Sequence, residues 1–180
     1  AEGACEALRR AVDATPSLRN GTTDGMAEHT LHLEKGQLEE LIGTATVANL
    51  WQLASTYRRQ AAAASAADSS TRRSRSGADG NGGASSASAP RAMEIFIRRF
   101  SAHTRPWIKM HADVAAVTVN IALSNDDDYP GGRLLGVFDG AVRAIGRQSG
   151  DATVHPSSLL HGVSRMHGAA TRYTLILFME

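Results

Sequence analysis

The chain has 180 residues and a formal net charge of +1, enough length for one domain with a sizeable core and no general affinity for polyanions. A single cysteine, Cys5, excludes an intramolecular disulfide framework and a Cys-built zinc site. No apolar run approaches the roughly 20 residues a membrane-spanning helix needs, and the opening AEGACEALRR has no signal-peptide apolar core, which leaves localisation open.

Residues 1–60 read as a helical flanking region. Residues 2–15 suit a short helix, residues 16–25 are turn-rich and read as loop, and TLHLE (30–34) alternates like a short strand. Over residues 37–59, Leu38, Leu41, Ile42, Ala45, Leu50, Leu53 and Ala54 recur at near-helical spacing, predicting an amphipathic helix. Gly43 and the β-branched Thr44, Thr46 and Val47 weaken its middle and mark a place for a break.

Residues 61–91 differ in kind: Ala, Ser, Gly, Asp and Arg dominate, with no aromatic and no large aliphatic side chain. Such a segment buries too little apolar surface to offset its ordering entropy, so it reads as a disordered, low-complexity insertion. The cluster STRRSRS (70–76) within it reads as solvated linker rather than a nucleic-acid site.

From residue 93 to the end the pattern is β. MEIFIRRF (93–100) and RPWIKMH (105–111) are candidate strands. VAAVTVNIAL (114–123) sets Val117, Val119 and Ile121 on one face and Thr118, Asn120 and Ala122 on the other. SNDDDYPGG is a turn-forming loop, and RLLGVF, DATVH and RYTLILFM supply further strands. Short strands punctuated by turns predict a mainly β sandwich or barrel with flanking helices.

His111 and Asp113, in His-x-Asp at a strand end, project to the same side because strand side chains alternate with period two. Two such residues can converge on one cation, and a third ligand must then come from another strand. Two imidazoles and one carboxylate, arranged facially with open positions, suit non-haem Fe(II). Candidates for the third ligand are His155, His161 and His167; His29, His32 and His103 read as surface or packing residues. The run Asp126–Asp128 lacks the spaced oxygens of a calcium loop and reads as a solvated turn.

The order HAD, VTVNIALSNDDDYPGGRL, LLHGV and TRYTLILF resembles the 2-oxoglutarate/Fe(II)-dependent dioxygenase family, in its prolyl 4-hydroxylase and lysyl hydroxylase-like branch. The resemblance covers residues 93–180. It implies a double-stranded β-helix, a cupin-like jelly-roll whose mouth holds the metal. It also implies His111, Asp113 and His161 as iron ligands and Arg172 as the bidentate partner of the distal carboxylate of 2-oxoglutarate. Thr174, two residues on, would add a hydroxyl to that carboxylate, and Asn120 would face the same pocket. Fe(II), 2-oxoglutarate and O₂ are the implied cofactors, with ascorbate as reductant.

Two features depart from the pattern. His161 to Arg172 is one residue longer than usual, which predicts a bulge or a longer turn. The strand before HAD lacks a co-substrate tyrosine, and Lys109 stands there instead. Arg172 read as a purely structural arginine would need a salt-bridge partner, because an inward charge on an apolar strand is costly unless paired.

The implied activity is hydroxylation of a C–H bond with decarboxylation of 2-oxoglutarate to succinate. The branch points to peptidyl proline or lysine as substrate. The same chemistry on a small molecule, or a non-catalytic metal-binding jelly-roll, are the alternatives. Nucleic acid is not expected as a partner: residues 173–178 read YTLILF and supply no second arginine.

Overall fold

The computed structural model describes residues 2–15, 18–19, 26–73 and 90–180. Helix α1 (Glu2–Asp13) buries Cys5, Leu8 and Val12, a three- and four-residue spacing that lines one face. After the two-residue strand β1 (Leu18–Arg19) and strand β2 (Glu28–His32) come helices α2 (Lys35–Ile42) and α3 (Thr44–Arg73). They are separated at Gly43, whose φ of +83° places it outside helical backbone. The break expected in the middle of the amphipathic run is therefore real and complete.

The expectation of disorder from residue 61 is corrected for residues 61–73, which continue α3, and residues 74–89 lie outside the described ones. A lack of large apolar side chains argues against burial, not against helix. Alanine has the best helix propensity, and a helix already nucleated by the packed Val47 and Ala54 extends at low cost. Residues 59–67 are accordingly exposed yet helical.

Strands β3 (Ala92–Ser101), β4 (Ile108–His111), β5 (Val117–Ala122), β6 (Leu134–Phe138), β7 (Ala141–Ile145), β8 (Ala152–Pro156), β9 (His161–Val163) and β10 (Thr171–Met179) complete the chain. They form two sheets of the double-stranded β-helix kind. The major sheet runs β1-β2-β3-β10-β5-β8 and the minor sheet β4-β9-β6-β7, with antiparallel pairing throughout. Strands β7 and β9 were not expected. AVRAI is almost wholly exposed, so it shows no alternation, and β9 has only three residues. Nor was the short β1, within the segment expected as loop.

The helices cover the outer face of the major sheet. Val117, Val119, Ile121, Leu175 and Leu177 pack there against Leu8, Val12, Leu38 and Val47, and all are buried. The partner residues of the alternation, Thr118 and Asn120 on β5 and Arg172, Thr174, Ile176 and Phe178 on β10, face inward to the gap between the sheets. Both faces of β10 are therefore covered, and a cavity of about 580 Å³ lies on the inward one.

The turn before β6 fixes one wall of the gap. Gly131 has φ +76°, and a Cβ there would stand 2.0 Å from the Arg165 carbonyl oxygen. Only glycine satisfies both constraints. Gly131→Ala should lower unfolding stability by at least about 2 kcal/mol, measured by urea titration. A change below a few tenths would mean that the turn and the 165 backbone are not packed as described.

Candidate active site

His111 ends β4 and His161 opens β9, and the two residues stand directly opposite each other in the sheet register. Asp113 follows two residues later in the crossing toward β5. Its Oδ1 is 3.4 Å from His111 Nε2 and its Oδ2 is 3.6 Å from His161 Nε2. One ligand atom from each lies within 4.8 Å of the others. Ligands about 2.1 Å from one ion and at right angles stand about 3.0 Å apart, so the His111–Asp113 pair needs to close by about half an ångström and the full set by less than about 2 Å.

The second nitrogen of each ring is tied to a backbone carbonyl. His111 Nδ1 is 2.9 Å from the Lys109 oxygen, and His161 Nδ1 is 3.0 Å from the Leu159 oxygen. A carbonyl only accepts, so Nδ1 of each ring carries a proton and a cation would take the Nε2 lone pair; at His111, whose pKa is raised chiefly by its hydrogen bond to Asp113, the cation would displace an Nε2 proton. Thr118 Oγ1 donates to Asp113 Oδ2 at 2.6 Å, which orients the carboxylate. Asp113 titrates below the usual carboxylate range. Burial pushes its pKa up, but hydrogen bonding from His111 and Thr118 outweighs that effect. His161 is lowered, chiefly by burial, which keeps its ring neutral. The donor set fits a divalent metal.

Arg172, at the head of β10, is 1% exposed and lines the same cavity. None of Nε, Nη1 and Nη2 makes a well-formed hydrogen bond, and the neutral Tyr129 hydroxyl is the polar side-chain group beside the guanidinium. Its guanidinium carbon lies 4.5 Å from the Phe100 ring centre, an aromatic floor rather than a counter-charge. Burial, with repulsion from Arg147 as the next cause, pulls its pKa down to about 10; Tyr129 and Asp126 offset part of this. A buried cation whose donors lack well-formed hydrogen bonds fits an anionic group of the bidentate kind, such as a carboxylate.

The other expected residues fall into place unevenly. Asn120 and Thr174 line the cavity, but the Thr174 hydroxyl is engaged with Asn120 Oδ1 at 2.6 Å and the Ile121 carbonyl at 2.9 Å. Lys109 is exposed, and only its carbonyl serves the site. His167 is exposed as well. His155 is buried behind the ligands, its Nε2 3.9 Å from Asp113 Oδ2 and its ring 4.5 Å from that of His161, but it does not line the cavity. The extra residue between His161 and Arg172 is taken up in the segment 164–170, where Gly168 has φ +71°.

The expected solvated turn Asp126–Asp128 is corrected at its first residue. Asp126 is 4% exposed, accepts a 2.5 Å hydrogen bond from Tyr129 Oη, and accepts the Arg147 backbone N–H at 3.0 Å. Asp127 and Asp128 are exposed as expected. Arg147, Tyr129 and Thr118 were missed as well. Of these only Thr118 had a usable signal, since it shares the inward face with Asn120.

The sequence matches no protein-family model and no curated protein. Solved structures do match. AviO1 from Streptomyces viridochromogenes aligns over 99% of this chain and 85% of its own, at 14% identity and a TM-score of 0.63. A Pseudomonas putida prolyl-4-hydroxylase aligns over 100% and 88%, at 15% identity and a TM-score of 0.60. A Trichoplax adhaerens prolyl hydroxylase, in complex with a hypoxia inducible factor peptide fragment, aligns over 98% and 77%, at 15% identity and a TM-score of 0.56. The chain has the fold of these oxygenases. Several other matches to oxygenases span about half of this chain and about half of the matched one. No helix among the described residues is long and apolar enough to cross a membrane.

An unpaired buried cation is a stability cost in the free protein. Because the folded pKa of Arg172 lies below its unfolded value, the penalty is present at neutral pH and fades only as pH rises past about 10. The shift from 12.5 corresponds to about 3 kcal/mol. Arg172→Met should therefore stabilise the ligand-free chain by about 1–3 kcal/mol in denaturant unfolding while weakening binding of dicarboxylates. Destabilisation would show that Arg172 is paired in the free protein.

Proposed function

We propose that this protein is an Fe(II)- and 2-oxoglutarate-dependent dioxygenase that hydroxylates a C–H bond. The observation that carries the reading is the meeting, in one cavity of about 580 Å³, of the His111–Asp113–His161 donor set with the three guanidinium nitrogens of Arg172, none of them in a well-formed hydrogen bond. The first suits non-haem Fe(II) with open positions, and the second suits the far carboxylate of a dicarboxylic 2-oxoacid. Similarity in fold to two prolyl hydroxylases supports peptidyl proline, with lysine as the related choice, as the substrate class.

Fe(II) held there would supply O₂ activation coupled to decarboxylation of 2-oxoglutarate to succinate and CO₂, with one oxygen atom passing to the substrate carbon. The chain's own residues supply position and environment. The Lys109 and Leu159 carbonyls hold the two rings so that Nε2 of each points to one spot. Thr118 occupies Asp113 Oδ2, leaving Oδ1 as the freer oxygen and favouring one-oxygen ligation. Arg172 anchors the distal carboxylate, so the 2-oxo end lies in a set orientation toward the ligand set. Ile108, Leu134 and Val163 line the cavity with apolar surface, which limits water at the reacting centre. Ascorbate would serve as external reductant.

With Fe(II) and ascorbate, purified protein should convert 2-oxoglutarate to succinate, faster with a proline- or lysine-containing peptide. His111→Ala should reduce the rate at least about a hundredfold, since an incomplete ligand set cannot hold the metal in the working geometry. Unchanged succinate formation in His111→Ala would refute the ligand assignment. Full metal and 2-oxoglutarate binding, with no turnover on any peptide, would move the substrate to a small molecule.

A further inference from the structure

A second buried arginine stands behind the cavity. Arg147 follows β7, is 3% exposed, and has two guanidinium nitrogens, Nε and Nη2, without a partner. Its one side-chain hydrogen bond runs from Nη1 to Asn120 Oδ1 at 2.8 Å. The same oxygen accepts the Thr174 hydroxyl at 2.6 Å.

This arrangement settles which way the Asn120 amide faces. Guanidinium nitrogens only donate, so the Asn120 atom beside Arg147 must be the carbonyl oxygen; a flipped amide would set donor against donor. With the oxygen occupied by two donors on the protein side, the NH₂ group is what the Asn120 side chain has left to offer the cavity it lines. Arg172 lines that cavity too, two residues before Thr174 on the same face of β10.

Arg147 is itself held firmly. Its backbone N–H donates to Asp126 Oδ2 at 3.0 Å, and its carbonyl accepts the Asp126 N–H at 3.0 Å. Tyr129 Oη holds the other carboxylate oxygen of Asp126. The chain of contacts from Tyr129 through Asp126 and Arg147 to Asn120 is buried along its length.

We propose that Arg147 is a positioning residue for co-substrate binding: it locks the Asn120 amide so that its NH₂ joins Arg172 as a second donor to the distal carboxylate. The inference rests on the reading of the cavity as a 2-oxoglutarate site. It assigns Thr174 to the lock rather than to the carboxylate, because the hydroxyl proton is already committed. It also gives Arg147 a role that needs no contact with any ligand.

The test compares two ligands on the full chain loaded with Mn(II) under anaerobic conditions, by calorimetry. 2-Oxoglutarate has the distal carboxylate; 2-oxopentanoate has the same length and chelating end but lacks it. Wild type should bind 2-oxoglutarate much more tightly. Arg147→Met should weaken 2-oxoglutarate about tenfold and leave 2-oxopentanoate unchanged, as expected for one lost hydrogen bond to a charged group. Asn120→Ala should show the same pattern, and the double variant should be no worse than Asn120→Ala alone.

Equal weakening of both ligands by Arg147→Met would mark it as merely structural and overturn the proposal. So would a further loss in the double variant, which would assign its effect to charge rather than to the lock. If Arg147→Met does not fold, Asn120→Asp serves, since it puts an anionic oxygen where the NH₂ stood; wild-type affinity for 2-oxoglutarate in that variant would overturn the proposal. Should wild type bind both ligands alike, the reading of Arg172 falls and this inference with it. Discrimination that survives intact in Arg147→Met overturns this inference alone.

Discussion

A central strand covered on both faces has no solvent side on which to carry polar groups, so any polar side chain on it is a commitment. Strand β10 makes that commitment with Arg172 and Thr174. Tyr173, Leu175, Leu177 and Met179 alternate with them and face the helices. The apolar half anchors the strand between β3 and β5, which fixes the position of the polar half to within the pleat. Arg172 cannot swing out to water, because its strand cannot move without exposing the core. A guanidinium placed this way is costly unless an anion arrives, and the cavity beside it is open to one.

That constraint also explains the electrostatic division of the site. At the Arg172 end, Arg172 and Arg147 are accompanied by the single buried carboxylate of Asp126. On β3, opposite Thr174, Arg98 bonds Glu28 at 3.3 Å, and Arg105 bonds the same carboxylate. There the charges are matched within the protein, with Glu94 also close to Arg98. Arg98 is therefore matched by carboxylates of the protein, whereas Arg172 has no carboxylate within hydrogen-bond reach. An anionic ligand would be drawn to Arg172, with its remaining groups turned toward the His111–Asp113–His161 set.

How much of this could be read in the chain depended on how local each signal was. His111 and Asp113 are two residues apart on a strand end, and Arg172 opens a strand of alternating apolar residues; both patterns need only neighbouring residues to be seen. The inward set Thr118 and Asn120 follows from the same period of two. Asp126 and Arg147, by contrast, are 21 residues apart, and each looks like an ordinary loop charge until their backbones pair. His155 is likewise buried only because β8 pairs with β5, opposite Thr118. The helical stretch 61–73 was misjudged for another reason. A deficit of apolar side chains argues against a core, but not against an alanine-rich helix continuing from one that is already packed.

The two sheets then act as a measure of ligand length. His111 and His161 belong to the minor sheet, through β4 and β9, whereas Arg172 belongs to the major sheet, through β10. Packed sheets stand about 10 Å apart, and here the cavity occupies the gap. A molecule held at one end by the metal ligands and at the other by Arg172 must bridge that gap with a chain of matching length. Neither anchor can shift to suit a shorter or longer one. The minor-sheet side is pinned where Gly162 passes so close to β4 that a Cβ would stand 2.8 Å from the Ile108 carbonyl oxygen. The major-sheet side is pinned by the core behind β10. Under the proposed function, selectivity for a dicarboxylate of one length would come from the rigidity of the sandwich rather than from any single contact, and this spacing, more than the identity of the ligands, would tie the fold to its co-substrate.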